Sequence, residues 1–205
     1  MLSLCAGMAS AQTTTIAALG DSLTAGYGLP QEDGFVPQLQ RWLIAQGADV
    51  TVRNAGVSGD TTAGGLARLD WTLTPDVDAL IVTLGGNDLL RGIDPDSSRA
   101  NLNAILQGAQ SRNLPVLLIG MKAPGNYGPD YKTRFDAIYP ALASRYHALL
   151  VDSFFAALSR EDPATLAQFM QPDGIHPNAA GVARIVETLG PQVLALLVLV
   201  PGKTP

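Results

Sequence analysis

A chain of 205 residues can bury one sizeable core, and 47% hydrophobic with 15% charged residues excludes the disordered and fibrous classes. A net charge of −5 without a clustered run of Lys or Arg excludes the basic face that nucleic acid requires, so the acidity is read as solubility.

Residues 1–11 are uncharged, small and apolar, and end in Ala9-Ser10-Ala11, a small-x-small cleavage pattern ahead of Gln12. They look like the remnant of a secretory signal peptide without its basic start, which predicts a periplasmic or secreted protein whose single domain is residues 12–205. The sole cysteine, Cys5, follows the bulky Leu4, where a lipid-anchor signal needs a small residue. After residue 11 the chain therefore offers no disulfide, thiol nucleophile or thiolate metal site.

Residues 15–19 read as a short strand buried on both faces, and they run into Gly20-Asp21-Ser22-Leu23 and the glycines Gly26 and Gly28. Phe35, Leu39, Trp42 and Leu43 recur at helical spacing until Gly47 supplies a stop. Residues 50–52 are extended, residues 54–62 form a second polar, Gly-rich loop, and Leu66 and Leu69 suggest a helix. Residues 79–84 are the clearest buried strand, ending in a third special loop, Gly85-Gly86-Asn87-Asp88.

Asp94-Pro95 starts a helix striped by Leu102, Ile105, Leu106 and Ala109, and residues 116–119 are the next strand. One helix over 131–146, carrying Phe135, Ile138, Tyr139 and Leu142 on one face, precedes a fifth strand at 149–151. Asp162-Pro163 opens a short helix, residues 171–177 are a loop, and Val182, Ile185, Val186 and Leu189 mark the last amphipathic helix. Gly190-Pro191 is expected to break or kink it. The apolar run 193–200 falls short of the roughly 20 residues that span a bilayer, so it is read as packing on the sheet rather than as a stable membrane insertion. Strands alternating with helices predict an α/β fold of three layers, doubly wound about a five-stranded parallel sheet.

A serine hydroxyl is a weak nucleophile and needs a general base, most often histidine oriented by a carboxylate. His147, at a predicted helix end, suits the helix dipole. His176 lies in Asp173-Gly-Ile-His176-Pro177, where Asp173 reaches Nδ1 and leaves Nε2 facing Ser22. An oxyanion needs donors, and Gly59 and Asn87 supply a tight-turn N–H and a side-chain amide at neighbouring strand ends. Read singly, Ser22 is equally a helix cap, Asn87 a turn residue and Asp173-His176 a capped turn. Their joint placement favours acyl transfer.

The four blocks 20–23, 54–59, 85–88 and 173–177 together resemble those of the GDSL-type, or SGNH, serine hydrolases. The longer strings Ser58-Gly-Asp-Thr61, Gly65-Leu-Ala-Arg-Leu69, Asn126-Tyr-Gly128 and His176-Pro-Asn178 are similar to the bacterial exported thioesterase, lysophospholipase and arylesterase group. The resemblance implies a flavodoxin-like sheet, a Ser22–His176–Asp173 triad, an oxyanion hole from the Ser22 and Gly59 N–H groups with the Asn87 side chain, and loose substrate choice. Neither a cofactor nor a metal is implied. The partner is a small-molecule ester or thioester, which a groove of Leu89, Leu90, Ile93, Met121, Pro124 and Tyr127 is expected to hold. Carbohydrate O-acetylesterase activity is the alternative within the same blocks. A nucleotide- or ligand-binding module is the alternative outside them, disfavoured because the first loop has neither G-x-G-x-x-G nor G-K-[ST].

Overall fold

β1 (Thr14–Gly20) is the strand about which the sheet is laid out, and its Ile16, Ala17, Ala18 and Leu19 are buried from both sides. The computed structural model describes residues 13–159 and 161–202; the leader-like segment 1–11, with Cys5, lies outside them. β2 (Val50–Gly56) and β3 (Ala79–Thr83) flank β1, and β4 (Val116–Ile119) and β5 (Leu149–Val151) extend the sheet in the order β2-β1-β3-β4-β5, all parallel. Gly20 is opposite Gly56 on one side and Thr83 on the other, so three strands end level with one another. The winding reverses at β1, and the carboxyl ends there leave a crevice suited to a ligand.

α2 (Phe35–Ala45) packs on β2 and on α10 (Ala179–Val198), which reaches β4 and β5. On the other side α6 (Pro95–Gln110) packs on α8 (Ile138–Tyr146), which also touches β4 and β5. These helices sandwich the sheet because each buries one stripe, such as Phe35, Leu39 and Leu43 on α2 or Leu102, Ile105 and Ala109 on α6. Each of the Phe, Leu and Ile side chains contributes roughly 1.5–3 kcal/mol on leaving water, and Ala109 less. The Asp94 side chain accepts from Asp96 N at 2.8 Å and Pro95 takes the first turn, so α6 starts where the Asp-Pro pair places it.

Four elements differ from their sequence expectations. β2 continues through Asn54–Gly56, because these residues pair with Ala18–Gly20 rather than looping away. Gly86–Leu90 is a one-turn helix, α5, so Asn87 stands in regular structure. The helix expected over 131–146 is two, α7 (Gly128–Asp136) and α8, divided at Ala137. Pro140 explains the restart: it has no N–H to give the Asp136 carbonyl, and in the first turn of α8 none is required. Conversely, Pro191 does not end α10, which runs unbroken to Val198. The carbonyl it deprives is that of exposed Glu187, which water can serve, while buried Val193, Leu196 and Leu197 hold the continuation to the core. The apolar run 193–200 is thus largely the end of a 20-residue helix that is long and apolar enough to cross a membrane, half of it buried within the protein.

Candidate active site

Gly20 ends β1 where a side chain has no space: a Cβ there would lie 2.0 Å from Thr24 Oγ1 and 2.9 Å from the Thr83 carbonyl. The chain then turns into α1 (Ser22–Ala25), capped by Asp21, whose Oδ1 accepts from Leu23 N at 3.0 Å. Ser22 is therefore the first residue of a short helix at the carboxyl edge of the sheet.

The loop after α9 (Pro163–Ala167) brings His176 to it: Ser22 Oγ is 2.8 Å from Nε2, and Nδ1 is 2.6 Å from Asp173 Oδ2. Asp173 Oδ1 also accepts the backbone N–H groups of Ile175 and His176, at 2.9 and 3.0 Å. These bonds, led by the His176 N–H, hold the Asp173 carboxyl down at about 2. An ionised Asp173 fixes the proton on Nδ1 and leaves Nε2 to accept from the Ser22 hydroxyl. The Tyr27 ring lies against the imidazole, centroids 4.7 Å apart, and Gln171 Nε2 donates to the carbonyls of Tyr27 and Pro177 at 2.8 and 3.0 Å, tying the two loops together.

Gly59 takes φ of +87°, a conformation other residues adopt only under strain, and its carbonyl accepts from Arg91 Nη2 at 2.9 Å. Neither the Gly59 nor the Ser22 N–H has a hydrogen-bond acceptor among the described residues. Asn87 Nδ2 donates to the Asp60 carbonyl at 3.0 Å and makes only a long contact, 3.4 Å, with Asp21 Oδ2. One amide hydrogen thus anchors the side chain and the other is weakly engaged. Asp88, fully buried, accepts from Thr62 N, Thr62 Oγ1 and Ser98 Oγ at 2.9, 2.6 and 2.8 Å, joining the Gly59 loop to α5 and α6.

Ser22 and His176 open into a cavity of about 800 Å³ lined by Leu89, Leu90, Met121, Pro124 and Tyr127. Ile93, expected there, is not among the lining residues: its N–H bonds the Asp88 carbonyl and its own carbonyl receives the Tyr131 hydroxyl, 2.9 Å in each case, which turns that segment back against the protein. Tyr27, Ile175, Ser153 and Phe155 also line the cavity and were not expected there: Ser153 and Phe155 meet it only once β5 takes its place at the sheet edge, and Tyr27 and Ile175 through the loops that bring Ser22 and His176 together. Among the described residues no three His, Cys, Asp or Glu side chains are grouped to hold a metal ion. His147 closes α8 in the left-handed conformation, away from this cavity.

Asp21 carries a pH signature of its own. Only 1% exposed, its carboxyl is pushed up from 3.8 to about 6, chiefly by burial. Between those values the folded protein keeps a proton that the unfolded chain has released, so this group's contribution to stability falls as pH rises, by an amount on the order of 3 kcal/mol in all. Asp21→Asn keeps Oδ1 as an acceptor and removes the ionisation. It is expected to melt higher than wild type above pH 6 and to lose less stability between pH 4 and 6, by thermal melting across that window. A wild-type pH slope in the variant would contradict this.

A serine hydrogen-bonded to a carboxylate-backed imidazole at a strand end, with unpaired donors alongside, is the arrangement of a serine hydrolase. Residues 18–184 match the model of the GDSL-like Lipase/Acylhydrolase family, and the chain belongs to that family. It is 42% identical over 190 residues to Esterase TesA of Pseudomonas aeruginosa, covering 92% of this chain and 91% of that protein. It is 36% identical over 190 residues to Thioesterase 1/protease 1/lysophospholipase L1 of Escherichia coli K12, covering 92% and 87%. Among solved structures, psychrotrophic esterase EstA from Pseudoalteromonas, inhibited by monoethylphosphonate, superposes with a TM-score of 0.82 at 32% identity, covering 90% of this chain and 99% of that one.

Proposed function

We propose that the protein is a serine esterase hydrolysing short- to medium-chain carboxylic esters, and acyl thioesters, through an acyl-enzyme on Ser22. The observation that carries this reading is the unbroken chain Ser22 Oγ, His176 Nε2, His176 Nδ1, Asp173 Oδ2, with contacts of 2.8 and 2.6 Å. Ser22 Oγ attacks the acyl carbonyl while its proton passes to Nε2, and Asp173 stabilises the imidazolium so formed. The N–H groups of Ser22 and Gly59 and the Asn87 amide hydrogen that is only weakly engaged with Asp21 meet the oxygen that gains charge. Collapse returns the proton from Nε2 to the leaving oxygen or sulfur, and water repeats the sequence to release the acid.

Leu89, Leu90, Met121, Pro124 and Tyr127 make the cavity wall that an acyl chain meets. Each methylene buried there gains about 0.8 kcal/mol, close to fourfold in affinity. For p-nitrophenyl esters kcat/KM is therefore expected to rise from acetyl to butyryl or hexanoyl. A maximum at acetyl, or faster release from acetylated xylan, would favour a carbohydrate O-acetylesterase. Export to the periplasm or medium belongs to the same proposal, supported by Ala9-Ser10-Ala11. N-terminal sequencing of the exported protein should begin at Gln12; an intact Met1 would contradict it.

A further inference from the structure

The string Gly65-Leu-Ala-Arg-Leu69 has no part in the chemistry above, yet it sets one cation at the junction of three parts of the site. Arg68 lies between α3 (Thr62–Ala67) and α4 (Leu69–Thr72), its side chain 21% exposed. Its Nε donates to Asp60 Oδ2 at 2.6 Å, one terminal nitrogen to the Ala55 carbonyl at 2.6 Å and the other to the Gly20 carbonyl at 2.7 Å. Gly20 ends β1 two residues before Ser22, and its carbonyl also receives Val57 N at 3.0 Å. Ala55 belongs to the end of β2, ahead of the turn that carries Gly59. Asp60 follows Gly59, and its carbonyl is the anchor of Asn87. A planar guanidinium with fixed donor directions can serve these three acceptors at once; an ammonium, a point charge on a flexible stem, cannot.

We propose that Arg68 is a positioning residue of the reaction, holding the Gly59 turn and, through the Asp60 carbonyl, the Asn87 amide in register with Ser22. The proposal rests on the esterase reading given above. Oxyanion donors act only when they lie about 2.7–3.1 Å from the developing charge, and a displacement near 1 Å can cost on the order of 100-fold in rate. A residue that merely filled space would lower the melting temperature and leave the donors in register. Arg68 instead touches no part of the acyl-chain wall, so its loss should fall on kcat and spare KM.

The test compares Arg68→Lys, Asp60→Asn, Asn87→Ala and the double variant Arg68→Lys/Asn87→Ala on an aryl ester, with thermal melting of each. Arg68→Lys and Asp60→Asn should each lower kcat by about 10- to 100-fold with KM within about twofold, and Asn87→Ala by about 100- to 1000-fold. In the Asn87→Ala background Arg68→Lys should cost a smaller factor than it does alone, since a donor it holds is already gone. A folded Arg68→Lys or Asp60→Asn variant with kcat within twofold of wild type would overturn the proposal, as would a change confined to KM or a loss that multiplies in full with that of Asn87→Ala. Asp60→Asn, which keeps every backbone group, carries the test if Arg68→Lys does not fold. Undiminished turnover in Asn87→Ala would strike the oxyanion-hole reading itself, a separate result.

Discussion

Ser22→Ala is expected to lower kcat for an aryl ester by at least about 10⁵-fold while the melting temperature stays within a few degrees of wild type. The hydroxyl is proposed to carry the acyl group because it is the one hydrogen-bonded to His176 Nε2, at 2.8 Å. Alanine fits the first turn of α1, and the cap that sets the turn comes from Asp21, so the fold does not depend on the serine. Knocking out a triad nucleophile leaves only the rate that binding and the oxyanion hole provide. More than about a tenth of wild-type kcat in the variant would contradict the assignment.

The second large effect is expected from Asp173→Asn, at about 10⁴-fold in kcat with little change in KM. The carboxylate accepts the Nδ1 proton at 2.6 Å and is an anion at every pH above about 4, because backbone N–H groups hold it at about 2. An asparagine amide turned toward Nδ1 donates instead, which favours the tautomer with its proton on Nε2. That nitrogen then cannot take the Ser22 proton. The loss should persist from pH 5 to 9, since titrating the solution does not restore the missing acceptor; a loss of less than tenfold would place Asp173 outside the reaction. On stability the sign is opposite to that of Asp21: a depressed carboxyl stabilises the fold above its unfolded value near 4, and the contribution is lost as pH falls through about 2.

Local chemistry made the strands and the side chains of the candidate site legible. Buried parallel strands are short apolar runs, and 116–119 and 149–151 match β4 and β5 residue for residue. Asp173 and His176 lie in one turn, so their spacing alone carried the carboxylate to the imidazole. Ser22 and His176 are 154 residues apart, and only the agreement of several blocks joined them beforehand. What could not be read was set by distant partners. Asp88 meets Thr62 and Ser98, Arg68 reaches back to Gly20, and Tyr27 packs on His176, each through a contact no local pattern encodes. Ile93 shows the reverse error, an apolar residue beside the site whose backbone bonds turn it away. Pro140 and Pro191 show that a proline is decided by its place in the turn and by the exposure of the carbonyl it leaves free, which residue identity alone does not give.

The central claim is that Ser22 is an activated nucleophile, and intact-mass measurement after reaction with a small organophosphorus ester tests it most directly. The wild-type protein should gain the mass of a single phosphonyl group, which peptide mapping places on Ser22, with activity lost in proportion; Ser22→Ala should gain none. An unlabelled wild-type protein that still hydrolyses esters, or a label on another residue with Ser22 free, would contradict the account.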